Sequence, residues 1–203
     1  PSPDAPFSGG FDGNNFRILN LTINRPDSSY TGLFGSAAGA SLVRITLVNA
    51  SVKGKDFTGT LAGQISGGTL HTVIVSGSVT STGEYVGGVA GLTSNGSLSG
   101  IGTTPPTLSG SKSSVTVSGH RMTGGMAGSG TVAGCEATGR VTGVSVAGEE
   151  SSSIGGLLGK GSAANGKASG EVTGGSEVGG LIGSGWATGC HAARPCRRQA
   201  TAT

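Results

Sequence analysis

Thiols, imidazoles and carboxylates are the side chains through which this 203-residue chain could do chemistry. Cys135 and Cys190 recur at equivalent places in GCEATGRVTG (134–143) and ATGCHA (187–192), and two such thiols raise the question of a disulfide. Gly166 holds the equivalent place between them. The two cysteines are therefore expected two rungs apart, roughly 9–10 Å at the ordinary strand spacing, beyond the roughly 7 Å that a disulfide spans. They read as small buried hydrophobes. A Cys190–Cys196 pair stays open, and cysteine usage leaves the redox compartment undecided. His71, His120 and His191 are scattered without metal-ligand spacing and read as surface histidines. Cys190 and His191 are neighbours but lack a third, orienting group.

Carboxylates would matter most for sugar chemistry, because glycoside hydrolysis needs two of them facing one sugar within roughly 10 Å. The aspartates are Asp4, Asp12, Asp27 and Asp56, with none beyond residue 56. Glu136 and Glu171 are expected on neighbouring rungs at different register, and Glu149–Glu150 in an exposed loop. Trp186, the only tryptophan, leaves few aromatic platforms. Calcium-binding GGxGxD repeats do not occur. Asp12 and Asn14 in FDGNN (11–15) read as a capped turn. NLT (20–22), NAS (49–51) and NGS (95–97) match glycosylation acceptors but read as turn and strand chemistry. No catalytic, cofactor-binding or metal-ligating residue is assigned, no cofactor is expected, and the chain reads as a non-enzyme.

These residues are positioned by a repeat. YTGLFG (30–35), FTGTLAG (57–63), YVGGVAG (85–91), MTGGMAG (122–128), SIGGLLG (153–159) and EVGGLIG (177–183) share one glycine signature. Their closing glycines are spaced by 28, 28, 37, 31 and 24 residues. The longest interval holds SGIGTTPPTLSG (99–110), whose Pro105–Pro106 pair cannot continue a ladder. Between signatures lie alternating Val- and Thr-rich segments, VRITLVNASV (43–52), HTVIVSGSV (71–79), SSVTVSG (113–119) and GCEATGRVTG (134–143), followed by a weaker GKASGEVTG (166–174). Period-two alternation is strand patterning, and no segment shows capped helical periodicity.

A repeat of this period implies stacked units that bury their apolar faces only against each other. Equivalent positions align copy over copy, which predicts an all-β fold: a right-handed parallel β-helix of about six or seven rungs. Three internal rows are expected: Ile45, Val73, Val115, Cys135, Gly166 and Cys190; Leu47, Val75, Val117, Ala137, Ala168 and Ala192; and Leu33, Leu61, Val89, Met126, Leu157 and Leu181. The signature glycines are read as sharp bends that need positive φ or close backbone approach. Residues 1–193 are expected to form one domain and 194–203 an irregular basic tail.

Arg194, Arg197 and Arg198 supply the whole +3 net charge, leaving residues 1–193 balanced at ten basic and ten acidic side chains. A nucleic-acid binder would carry a basic stripe along its body, so no nucleic-acid partner is expected. No apolar run reaches the length of a membrane helix, and no membrane insertion is expected. The opening PSPDAP, without methionine or signal peptide, reads as a processed product or a fragment of a larger parent chain.

The signatures resemble the GLUG-motif repeats of bacterial secreted and surface proteins, including filamentous-haemagglutinin-like adhesins and the N-terminal regions of immunoglobulin A proteases. GGLLG (155–159) and GGLIG (179–183) match closely, and GGVAG (87–91) and GGMAG (124–128) replace the leucine. FSGGFDGNNFRILNLTINRPDSSYTGLFG (7–35) is similar to the segment that introduces such arrays, and the likeness covers roughly residues 7–192. It implies a β-helix in a secreted or cell-surface setting and carries over no catalytic residue. The function expected is a non-catalytic structural or adhesive segment that presents or contacts a host-surface protein, glycan or matrix ligand. Loops 92–113 and 143–153 are its candidate contact sites. A carbohydrate-active β-helix enzyme or carbohydrate-binding module is the alternative. Ice binding is a further one, suggested by outward hydroxyl columns of Ser76, Ser118, Thr138 and Ser169 and of Thr80, Thr142 and Thr173.

Overall fold

The computed structural model describes residues 2–94, 108–109, 111–194 and 196–198, with backbone alone at 108, 109, 196 and 198. β-branched residues that alternate with polar ones favour a pleated, half-buried surface, and the described segments are strands without a helix. Among them, nineteen strands form one wrap-around sheet and four form a second. Every ladder between named strands is parallel, and together they make a β-solenoid of about six turns.

Each coil has three sides. The first carries the signature's end, as in Phe34–Ala38, Ala62–Ser66, Ala90–Ser94, Ala127–Ala133, Leu158–Ala164 and Ile182–Thr188. The second is long and bends midway, as in Ser41–Gly54 and Thr69–Ser81. The third is the short sheet Glu84–Gly87, Arg121–Gly124, Ser152–Gly155 and Ser176–Gly179. Cys196–Arg198 pairs with Val172–Gly174, so three residues of the expected tail continue the ladder.

On the first side the register runs Phe34, Ala62, Ala90, Ala127, Leu158 and Ile182. One residue earlier stands the third expected row. Leu61, Val89, Met126 and Leu157 are wholly buried in it, while Leu33 and Leu181 at its ends are partly exposed. Burying a side chain of this size contributes about 1.5–3 kcal/mol. Phe7 and Phe11 lie against Phe34 at ring-centroid distances of 4.9 and 5.5 Å and cover one end of the core.

The other two rows need a correction of one pleat. Ile45 stacks on Val73 and Leu47 on Val75, but Val75 then meets Ser113, while Val115 meets Gly77 and Val117 meets Val79. The true neighbours continue as Ser113, Ala137, Ala168 and Ala192. Val117 belongs instead to a row with Val52, Val79, Val141 and Val172. A slip of two residues keeps every side chain on its own face, so Val73, Val115 and Cys135 are all buried as expected. Ser111 and Ser113 occupy the interior places assigned to valines, and Ser111 Oγ accepts a hydrogen bond from Val73 N at 3.1 Å.

The role given to the signature glycines also changes. Their φ is not positive. The left-handed residue at this corner is the one that opens each signature: Tyr30, Phe57, Tyr85, Met122, Ser153 and Glu177, with φ between 45° and 59°. Such a conformation costs a non-glycine residue about 1–2 kcal/mol. Stacking offsets it in part, since Phe57 lies face to face with Tyr30 at 4.6 Å and with Tyr85 at 4.8 Å. The closing glycines are required by close approach. A Cβ on Gly159 would lie 2.3 Å from the carbonyl carbon of Met122, the corner residue one coil earlier.

Candidate functional site

Several of the charged groups that might have done chemistry are held in cross-rung ion pairs. Lys112 meets Glu136 at 3.2 Å, and Arg140 meets Glu171 at 2.9 Å. Glu136 and Glu171 thus stand on different columns, each beside a cation. Arg44 grips Asp12 through both carboxylate oxygens, and Asn14 N donates to Asp12 Oδ1 at 2.8 Å. The Arg44 hydrogen bond, with that backbone bond, holds the Asp12 carboxyl below the usual aspartate range. The FDGNN turn is capped as its sequence suggests. Asn20 and Asn49, from two of the glycosylation-like triplets, both take left-handed φ and stack, with Asn49 Nδ2 donating to Asn20 Oδ1 at 2.8 Å. Asn95 lies outside the described residues.

Cys135, Gly166 and Cys190 occupy one column, as adjoining pairings show. Cys135 Sγ donates to Ala133 O and Cys190 Sγ to Thr188 O, each at 3.4 Å, and burial pushes the Cys135 thiol up in pKa. The Cys190–Cys196 alternative involves a side chain outside the described residues. Among the described residues no group of three or more His, Cys, Asp or Glu could hold a metal ion.

His71 and His191 are exposed, but His120 is not the surface histidine expected. It is 7% exposed, and its Nδ1 donates to Val144 O at 2.9 Å, since a carbonyl can only accept. Its Nε2 lies 3.8 Å from Glu149, whose carboxylate accepts a hydrogen bond from Arg121 at 2.7 Å. The loop 143–153 is therefore pinned to the body, with a tight turn at Ala147–Gly148 closed by a Val146–Glu149 bridge. Of the other candidate loop, 92–113, residues 95–107 and 110 lie outside the described residues.

The hydroxyl columns follow the corrected register: Ser76, Ser114, Thr138 and Ser169, and Thr80, Ser118, Thr142 and Thr173. Between them runs a column that contains Arg140 and Glu171, so bulky charges interrupt the hydroxyl face.

The concave feature of the surface was not anticipated. On the first side, Ala37, Ile65 and Thr93 point inward, and the same column continues as Gly130, Gly161 and Gly185. These glycines have φ of 140°, 134° and 145°. A Cβ on Gly161 would sit 1.9 Å from Gly130 O, so no other residue fits. They floor a groove of about 710 Å³. One wall carries Ser129, Lys160 and Ser184, and the other Thr131, Ser162 and Trp186. Thr131 Oγ1 and Ser162 Oγ share a hydrogen bond at 3.2 Å, and Trp186 is 82% exposed. A signal was present in the sequence: GSGT (128–131), GKGS (159–162) and GSGW (183–186) follow three successive signatures.

The fold defines the chain as a parallel β-helical repeat protein. No family profile matches it. An 80-residue stretch, 39% of the chain, is 38% identical to halomucin of Haloquadratum walsbyi, of which it covers 1%. The crystal structure of a "putative immunoglobulin A1 protease" from Bacteroides ovatus superposes with a TM-score of 0.63 at 21% identity, over 89% of this chain and 58% of that one. The chain thus spans a small part of the first relative and just over half of the second, and the likeness to the second is one of fold.

Proposed function

We propose that this chain is a non-catalytic, stiff segment of a secreted or cell-surface protein, one that presents or contacts matrix or host-surface ligands. The observation that carries this reading is the unbroken row from Leu33 to Leu181, which makes the molecule a continuous rod, with ion pairs such as Lys112–Glu136 and Arg140–Glu171 joining neighbouring rungs. Such a core resists bending because each coil is held by its neighbours along their length. The GLUG-like signatures, the stretch shared with halomucin and the fold shared with the Bacteroides protein all support a place in a large extracellular assembly. A protease domain, if the parent has one, lies outside these coils on this reading. The test is to incubate purified protein with immobilised glycans and matrix proteins, then analyse retained protein and released products by mass spectrometry. Retention with intact ligand is expected. Shortened glycans or peptides would establish an enzyme instead.

A further inference from the structure

We infer that the groove over Gly130, Gly161 and Gly185 is a binding site for an acidic sugar, a pyranose ring that bears a carboxylate. Four features define the ligand. A tryptophan face left open to water is an apolar platform, and the C–H face of a pyranose is the sugar surface that matches it. Thr131 and Ser162 share one hydrogen bond, so each keeps hydrogen-bonding capacity for a ligand hydroxyl beside that platform. Lys160, on the opposite wall, is exposed and has no ion-pair partner among the described residues, a state it shares with Lys53, Lys55 and Lys167, but of these it is the one that lines the groove. Among the described residues, no acidic one lines the groove. A free cation beside an aromatic platform selects a ring with a negative substituent.

The spacing agrees. Lys160 pairs in register with Ser184, two residues before Trp186. Their Cα atoms are therefore roughly 8 Å apart, from a strand spacing of about 4.8 Å and a rise of about 3.3 Å per residue. A ring stacked on Trp186 leaves its exocyclic carboxylate on the Lys160 side. The volume of about 710 Å³ lies within the range of small-ligand sites. The glycine floor keeps the trough open, since any side chain there would collide with the preceding coil.

Trp186 is the only tryptophan, so intrinsic fluorescence reports on the groove directly. The probes are 3′-sialyllactose and a hyaluronan tetrasaccharide as two sources of the carboxylated ring, with lactose and cellotetraose as neutral controls. Saturable change in the emission of the intact protein is expected with one or both acidic probes, and at least tenfold weaker binding with the neutral ones. Lys160→Gln, an exposed and conservative change, is expected to weaken acidic-probe binding about tenfold and remove its salt dependence. Trp186→Phe is expected to weaken it several-fold, with calorimetry as the readout. No saturable response to either acidic probe, equal binding of neutral probes, or unchanged affinity in Lys160→Gln would overturn the assignment. Groove binding deepens the adhesive reading, and the two fail separately: surface retention that survives Trp186→Phe and Lys160→Gln leaves adhesion standing and removes the groove.

Discussion

Asp12 and Cys135 show how little of this chain's reactive chemistry is available. Because Arg44 lowers the Asp12 pKa in the folded state, the pair's contribution to stability is present above the ordinary aspartate value of about 3.9 and is lost as pH falls through the lowered one. Both side chains are nearly half exposed, so the effect is small and screened by salt. Urea denaturation of the parent and Asp12→Asn is expected to differ at pH 6 in low salt and to converge as the pH falls below the lowered Asp12 value. Cys135 is buried and its thiol is held in the protonated form. Iodoacetamide treatment followed by peptide mapping is expected to leave it unmodified in the folded protein and to alkylate it in urea. Rapid native alkylation would show that its coil opens.

At the level of strands and corners, stability is expected to follow position along the stack. Leu157 is wholly buried between Met126 and Leu181, whereas Leu181 lacks a described residue beyond it in the same row. Leu157→Ala is expected to cost about 2–5 kcal/mol and Leu181→Ala clearly less, measured as shifts in chemical denaturation midpoints. What could be read from sequence divides along the same lines. The signature row was legible because its glycines fix register from inside the motif, whatever the length of the loop between copies. The Val-rich rows slipped by one pleat because alternation fixes the face but not the register, and the long interval before residue 113 conceals where that strand begins. Left-handed corners at Tyr30, Phe57 and Tyr85 gave no signal, since bulky residues rarely adopt positive φ. The groove was missed for another reason. Its G-x-G triplets merge into a glycine-rich background, and Lys160 and Trp186, one rung apart in space, stand 26 residues apart in sequence.

For the molecule as a whole, the arrangement is a stacked body with cross-rung ion pairs, polar ladders and a trough on its first side. The hydroxyl face resembles an ice-contacting surface only in outline. Its middle column bears the Arg140–Glu171 pair, which breaks the flatness and spacing that ordered water would need. Osmometry on purified protein is expected to show no thermal hysteresis, and a measurable gap between freezing and melting points would restore that alternative.

The left-handed corner has a practical meaning. Its backbone is held by the glycines of adjoining coils, while its side chains lean on one another: the three rings stack, and the Ser153 hydroxyl donates to Glu177. One edge of the rod is therefore a line of type in which each letter is set against the next, and a lineage that rewrote one would be expected to reset its neighbour to match.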